Sequence, residues 1–300
     1  MNPIIIAAPA IRASFGRRAA DYAELTKPRI MIMALVTVAV GAFVAAKGSL
    51  DTVLLLHALV GTGLVAAGSS VLNQVLETET DARMRRTQNR PLPAGRVAVA
   101  EALGFGVLLS VLGVNYLCVL VNPLTGLLAI ATLVLYVFVY TPLKRVTSFN
   151  TLVGAVPGAL PPVMGWSAVR GSLDAQAWTL FLILFLWQFP HFLAIAWIYR
   201  DDYSRAGLKM LPVVDLSGAM TGRQMIWYSL ALVPASLGPF FMRFAGPAYV
   251  VGALTLSIVL LGFAVVFACV VSQANARNLM RASLIYLPAL LVLMMLDLTK

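Results

Sequence analysis

The sequence predicts an all-α polytopic membrane protein, a bundle of nine transmembrane helices with its N-terminus in the cytoplasm and its C-terminus outside. Three observations support this. Of 300 residues, 60% are hydrophobic and 11% charged, and mean hydropathy is +0.89, which leaves too little polar surface for a water-soluble domain of this length. Apolar stretches long enough to cross about 30 Å of hydrocarbon recur along the chain. Basic residues alternate from one side of these stretches to the other, the asymmetry that sets membrane orientation.

The elements follow in order. Residues 1–29 form a basic arm carrying Arg12, Arg17, Arg18, Lys27 and Arg29 against two acids, Asp21 and Glu24. The run MNPIIIAAPA is too short for the apolar core of a signal peptide, so the arm is expected in the cytoplasm, leading through LTKPRI into the first span. Spans are expected over residues 30–47, 53–76, 98–121, 123–141, 149–169, 177–199, 224–242, 246–270 and 281–298. Asn122-Pro123 and Gly246-Pro247 mark tight hairpins, and TPLKRVTS, with its proline and paired bases, marks a loop. GAVPG at 154–158 and Pro161-Pro162 place small and helix-breaking residues in the fifth span, where they let neighbouring helices approach closely. No linker or second domain interrupts 30–300, which reads as one intramembrane domain.

With the N-terminus inside, the inner side holds 18 of the 22 Lys and Arg. The outer side keeps Lys47, Arg170, Arg243 and Lys300. The net charge of +10, which in a soluble protein would point to nucleic acid, here belongs to cytoplasmic loops facing anionic lipid headgroups. Cys118 and Cys269 lie far apart in apolar runs and read as small packed hydrophobes.

Candidate chemistry begins at residues 73–96, NQVLETETDARMRRTQNRPLPAGR. Asn73, Glu77 and Asp81 are spaced by four and form a row on one helix face. Arg83, Arg85, Arg86, Arg90 and Arg96 follow. An amide and two carboxylates in a row suit a hard divalent cation, and Mg²⁺ takes one or two protein carboxylates with phosphate oxygens and water. Arginines beside such a site grip phosphate. The alternative is an amphipathic helix end whose acids pair with the arginines in solvent. A second acidic pair, Asp201 and Asp202, lies at the inner end of the sixth span among Arg200, Tyr203, Arg205 and Lys209. Its alternative is a capped loop helix paired with Arg205. His191, in the apolar part of the sixth span, is open to three roles: axial ligand to a haem iron, proton acceptor, or hydrogen-bond partner to a neighbouring helix. His57 reads as structural.

LTKPR at 25–29, the Asn73–Asp81 row and RRTQNRPLPAGR together resemble the UbiA superfamily of intramembrane prenyltransferases. Two longer segments, 140–166 and 187–213, resemble those members whose acceptor is protohaem. The likeness covers residues 25 to about 215, whereas the last third is generic. It implies farnesyl transfer from farnesyl diphosphate to a vinyl group of haem B, with water added, giving haem O for a terminal oxidase, with haem A synthase or oxidase assembly as partners. It also implies the bilayer of a bacterial inner membrane as surroundings. Asn73, Glu77, Asp81, Asp201 and Asp202 match the two Mg²⁺ and diphosphate motifs; Glu77 stands where aspartate is more usual, and YRDDY departs from the plain second motif. Arg86, Arg90, Lys144, Arg145 and Lys209 are expected to stabilise the diphosphate. Tyr140, Trp166, Phe189 and Trp197 are expected to line a dry chamber for the allylic cation, and His191 to meet the haem. Two other readings are an aromatic or quinone-precursor acceptor and a secondary transporter. Transporters place their polar sites near the midplane of repeated halves, whereas here the acids cluster at one mouth.

Overall fold

A computed structural model describes residues 15–47 and 49–299. Arg12 and Lys300, which bear on the expected orientation, lie outside the described residues. The described residues are helical, with no strand among them. Helix α1 (Phe15–Leu25) is a short surface helix. The long helices are α2 (Pro28–Ala45), α3 (Thr52–Ala82), α4 (Val99–Leu120), α7 (Asn150–Arg170), α8 (Ala175–Ile198), α11 (Ala219–Ser236), α13 (Pro247–Cys269) and α14 (Gln273–Leu296). Between α4 and α7, α5 (Pro123–Val134) runs through a π-helical turn (Leu135–Tyr140) into α6 (Thr141–Val146). Short helices α9 (Arg200–Arg205), α10 (Leu211–Val214) and α12 (Gly238–Phe241) complete the connections.

Eight helical runs among the described residues are long and apolar enough to cross a membrane. The expected seventh span falls short of that measure: α11 has 18 residues and carries Thr221, Arg223 and Gln224 in its first turns. It nevertheless packs lengthwise against α8 and α13. Two boundaries move. The seventh helix runs over Ala219–Ser236 instead of 224–242 and breaks before Gly238-Pro239. The last begins at Gln273 instead of 281, because Ser272 caps it by accepting a hydrogen bond from Asn275 N at 3.1 Å. Arg277 and Arg281 therefore sit on helix and not in a loop.

Helix α3 positions the acidic row. Its 31 residues extend about 46 Å, some 16 Å more than the hydrocarbon thickness. That length lets one continuous helix carry Asn73, Glu77 and Asp81 in its last third. Asp51 starts the helix by accepting from Val53 N at 2.8 Å.

The small residues of the fifth span serve tight packing. Gly41 on α2 lies against the backbone carbonyl of Pro162 on α7, and Gly165 on α7 against that of Val38, so a side chain at either glycine would push the helices apart. The main apolar core then runs from α2 and α7 through α8 to α11, α13 and α14. A smaller cluster of Leu25, Val71, Leu92, Val97 and Ala102 ties the α1–α2 turn to α3 and α4.

Candidate active site

The loops expected on the cytoplasmic side gather at one end of the bundle. Lys209 N donates to Lys144 O at 2.7 Å, Asn150 Nδ2 to Lys209 O at 3.0 Å, and Arg85 N to Asp202 Oδ1 at 3.4 Å. At the other end Asn122 Nδ2 reaches Ser167 O at 2.9 Å and Gly246 N reaches Asp297 O at 2.8 Å.

The first row is built as expected and is deeply buried, with Asn73 1%, Glu77 8% and Asp81 0% exposed. Each side chain meets a base from a different segment. Lys27 Nζ donates to Asn73 Oδ1 at 2.7 Å, Lys144 Nζ to Glu77 Oε1 at 2.7 Å, and Arg90 Nη1 to Asp81 Oδ2 at 2.6 Å. Asn73 also donates through Nδ2 to Thr141 Oγ1 at 3.0 Å. The π-helical turn makes this possible: Pro142 has no N–H to continue the regular ladder. Thr141 instead donates through both N and Oγ1 to Tyr136 O, five residues back. The wider turn presents Tyr140, Thr141 and Lys144 to α3, and Lys144 Nζ lies 4.5 Å from the centre of the Tyr140 ring. Such π-turns often mark functional positions.

Asp81 carries the most informative atom. Its Oδ1 is buried without a hydrogen-bond partner among the described residues, and an unsatisfied buried carboxylate oxygen is costly. That atom fits a cation. No three His, Cys, Asp or Glu side chains among the described residues converge as a closed metal cage.

Of the second pair, Asp202 and not Asp201 turns inward. Asp202 is 8% exposed, accepts from Arg85 N in the loop after α3, and pairs with Arg205. The Asp201 carboxylate is 81% exposed, 3.8 Å from Arg200. Successive helical residues point about 100° apart, so α9 can aim only one of them. The same loop is tied down again by Arg86, which donates to Tyr203 Oη at 2.8 Å and lies over the rings of Tyr199 and Tyr203 at 5.0 and 4.9 Å. The two acidic motifs thus share one loop, residues 83–90.

The remaining expected residues divide. Tyr140 lines the cluster. The exposed Arg145 stands 3.9 Å from Glu79, on the rim of a cleft of about 310 Å³ that Glu77, Thr80 and Thr141 also line. Lys209 contributes backbone contacts to Lys144 while its side chain is exposed. Trp197 packs edge-on against Phe267 beneath Arg200, and Phe189 stacks on Tyr228, both in the α8 core. The structure does not bring Trp166 to the site. It lies 16 residues beyond Asn150 on α7, about 24 Å along the axis, and hydrogen-bonds Asp174 at the opposite end. His191 hydrogen-bonds a neighbouring helix: Nδ1 meets Ser283 Oγ of α14 at 2.8 Å, and the ring stacks on Trp187.

Two site members escape the sequence reading. Thr141 gives no signal, since threonines in apolar helices are common. Lys27 does give one, a lysine directly before the proline that opens a span. It lies at the N-terminus of α2, where burial of its ammonium, aided by Arg90, pushes its pKa down to about 7.

Comparison with known proteins agrees with this fold. The profile of the UbiA prenyltransferase family matches residues 34–286. A protoheme IX farnesyltransferase from Solibacter usitatus is 46% identical over 286 residues, covering 92% of this chain and 98% of its own. Among solved structures, that of digeranylgeranylglyceryl phosphate synthase superposes with a TM-score of 0.79 at 17% identity, covering 93% of this chain and 98% of its own. A UbiA homologue from Archaeoglobus fulgidus bound to GPP and Mg²⁺ superposes with a TM-score of 0.63 at 16% identity, covering 91% and 99%. A relative this similar over nearly the whole chain, and a family profile spanning most of it, show that the chain belongs to the UbiA prenyltransferase family.

Proposed function

We propose that this protein transfers the farnesyl group of farnesyl diphosphate to a vinyl group of haem B, releasing diphosphate and giving haem O for a terminal oxidase. The acceptor and donor follow from the relative named protoheme IX farnesyltransferase. The observation that carries the chemistry is the convergence of Asp81 and Asp202 on one arginine-rich loop at the end of an apolar bundle. The nine-span topology, with this end of the bundle facing the cytoplasm of a bacterial inner membrane, belongs to the same proposal. It rests on α11 packing as a full helix between α8 and α13 and on the basic loops gathering at one end.

Asn73, Glu77, Asp81 and Asp202 are the residues that would hold Mg²⁺, which supplies electrostatic stabilisation to the departing diphosphate when bound. Asp201 is a lesser member of the set, reaching the site only if α9 rotates. The A. fulgidus homologue, bound to GPP and Mg²⁺, supports a divalent cation here. Arg90 and Lys144, each now holding a carboxylate oxygen, would bind the phosphate oxygens, with Arg86 behind them. The allylic C–O bond then breaks heterolytically, its electron pair leaving with the diphosphate oxygen. Tyr140 and Tyr136, stacked at 5.7 Å beside Lys144, present ring faces that stabilise the allylic cation. The apolar walls exclude water until the vinyl carbon attacks; the cation left on the other vinyl carbon, beside the macrocycle, then takes up one water and loses a proton, giving the hydroxylated side chain of haem O. His191 remains the intramembrane candidate for contact with the haem.

Incubating the purified protein with farnesyl diphosphate, Mg²⁺ and haem B, and resolving the haems by mass, tests this directly. Haem O is the expected product. A prenylated 4-hydroxybenzoate in a parallel incubation without haem O would move the assignment to an aromatic acceptor, and passage of substrate across vesicles without product would support a transporter.

A further inference from the structure

Between Asp215 and Asp297 the chain carries four arginines, Arg223, Arg243, Arg277 and Arg281, and no acid. Asp215 is engaged by Thr221, accepting from its N and Oγ1 at 2.7 and 2.8 Å, and Asp297 lies at the far end of α14. Arg277 and Arg281 stand on successive turns of α14, both exposed. Arg277 donates to the neutral amide oxygen of Gln273 at 3.1 Å. Arg281 instead lines a groove of about 450 Å³ between α13 and α14. A guanidinium on a membrane helix is costly without a counter-charge or hydration, and no carboxylate on these helices supplies one.

The groove has two unlike ends. Leu256, Val259 and Phe263 of α13 line it with Asn278, Arg281 and Ile285 of α14, each set spaced by three and four so that its side chains share one helix face. Tyr286 adds to the wall, but its hydroxyl is taken up by Ser236 and Ser257 at 2.6 and 3.2 Å. The polar groups left to a ligand are the Asn278 amide and the Arg281 guanidinium. Measured from the α13–α14 turn, these lie about 8 and 12 Å along α14, whereas Leu256 lies about 20 Å back along α13. That turn belongs to the end of the bundle that carries the acidic motifs, because a Cβ at Gly218 would meet both Val271 of the turn and Trp197, the ring beneath Arg200. The mouth of the groove thus sits beside the polar first turns of α14, QANARN, and its apolar body runs deep into the hydrocarbon.

We propose that this groove binds one anionic phospholipid, its phosphate accepting hydrogen bonds from Arg281 and Asn278 and an acyl chain lying between α13 and α14. Basic pockets between membrane helices suit anionic headgroups, and the arginine fork suits phosphate oxygens. A soluble anion would use the mouth and leave the apolar body empty. A zwitterionic lipid would fill the body but bring a second cation to the mouth. The groove shares no lining residue with the acidic row, so the proposal stands independently of the prenyl-diphosphate reading.

Native mass spectrometry of the full-length protein in detergent, titrated with phosphatidylglycerol, with phosphatidylcholine of the same chains or with glycerol 3-phosphate, tests it. The melting temperature is recorded for each variant. The unaltered protein is expected to hold phosphatidylglycerol about ten times more tightly than phosphatidylcholine, and Arg281→Gln to lose about that factor, the scale of one charge-assisted hydrogen bond. Arg281→Lys should stay within a few-fold. Val259→Trp fills the groove from a position that is 51% exposed, and should weaken both lipids. Arg223→Gln removes one charge from the same end of the bundle outside the groove, and should change nothing. Phosphatidylglycerol bound by Arg281→Gln as tightly as by the unaltered protein would overturn the proposal. So would equal losses in Arg223→Gln and Arg281→Gln, which mean diffuse attraction and no site, or a loss that follows a fallen melting temperature and is not restored by lysine. Glycerol 3-phosphate bound as tightly as the lipid would also overturn it, by leaving the apolar groove without a part.

Discussion

Among the polar clusters buried in this apolar bundle, one at the end of α3 contrasts with one between α11, α13 and α14. The second is made of neutral hydroxyls that satisfy one another. Tyr286 Oη meets Ser236 Oγ at 2.6 Å and Ser257 Oγ at 3.2 Å, and Tyr249 Oη donates to Ser236 O at 2.8 Å. Asp297 closes the end of this cluster away from the acidic row by accepting from Tyr249 N at 2.7 Å. The first cluster is charged, draws its bases from four separate segments, and leaves Asp81 Oδ1 without a described partner. Inside a membrane protein a closed neutral network fixes helix packing, while an open charged one is costly and marks a ligand site.

The contrast can be broken in four places. Asp81→Ala should have the largest effect, reducing haem O formation by about a thousandfold or more, in line with the loss of a central electrostatic contact in an active site. Its helical circular dichroism should stay unchanged. Near-normal turnover would remove the metal site from this end of the bundle. Next comes the second motif: Asp202→Asn should slow turnover by about a hundredfold, and Asp201→Asn by only a few-fold. Equal losses in steady-state assays would show that α9 turns to use both carboxylates. In the closed cluster, Tyr286→Phe should cost about 1 kcal/mol or less of stability, seen as a drop of a few degrees in melting temperature. Turnover per folded molecule should not change, and a large loss of turnover would connect the two clusters. The smallest effect is expected from Trp166→Phe, which removes the 3.2 Å hydrogen bond to Asp174 at the far end. Prenyl transfer should stay within about twofold, given a modest, partly buried hydrogen bond far from the acidic row; a large change in product distribution would instead place Trp166 in the reaction chamber.

A relocated residue and a split pair show where reading the chain runs out. Trp166 groups with Tyr140 in sequence because both lie in one stretch of likeness, yet a helix of 21 residues separates their ends of the bundle. Asp201 and Asp202 are equivalent as composition, and only the turn at Tyr199 between α8 and α9 decides which faces Arg85. His191 can be singled out as an ionisable group at membrane depth, but its partner Ser283 lies 92 residues away.

Composition and hydropathy determined that this chain is a helical membrane protein, because a segment crossing hydrocarbon must satisfy its own backbone and show apolar side chains to lipid. Spacing alone placed Asn73, Glu77 and Asp81 on one face, because helix periodicity is local. Tertiary structure decided which base meets which acid, that Asp202 and not Asp201 faces α3, and that Lys27 joins the site. Those are contacts between residues far apart in the chain, fixed by how whole helices pack and how turns such as the one at Lys27 are fastened, and no local pattern encodes them.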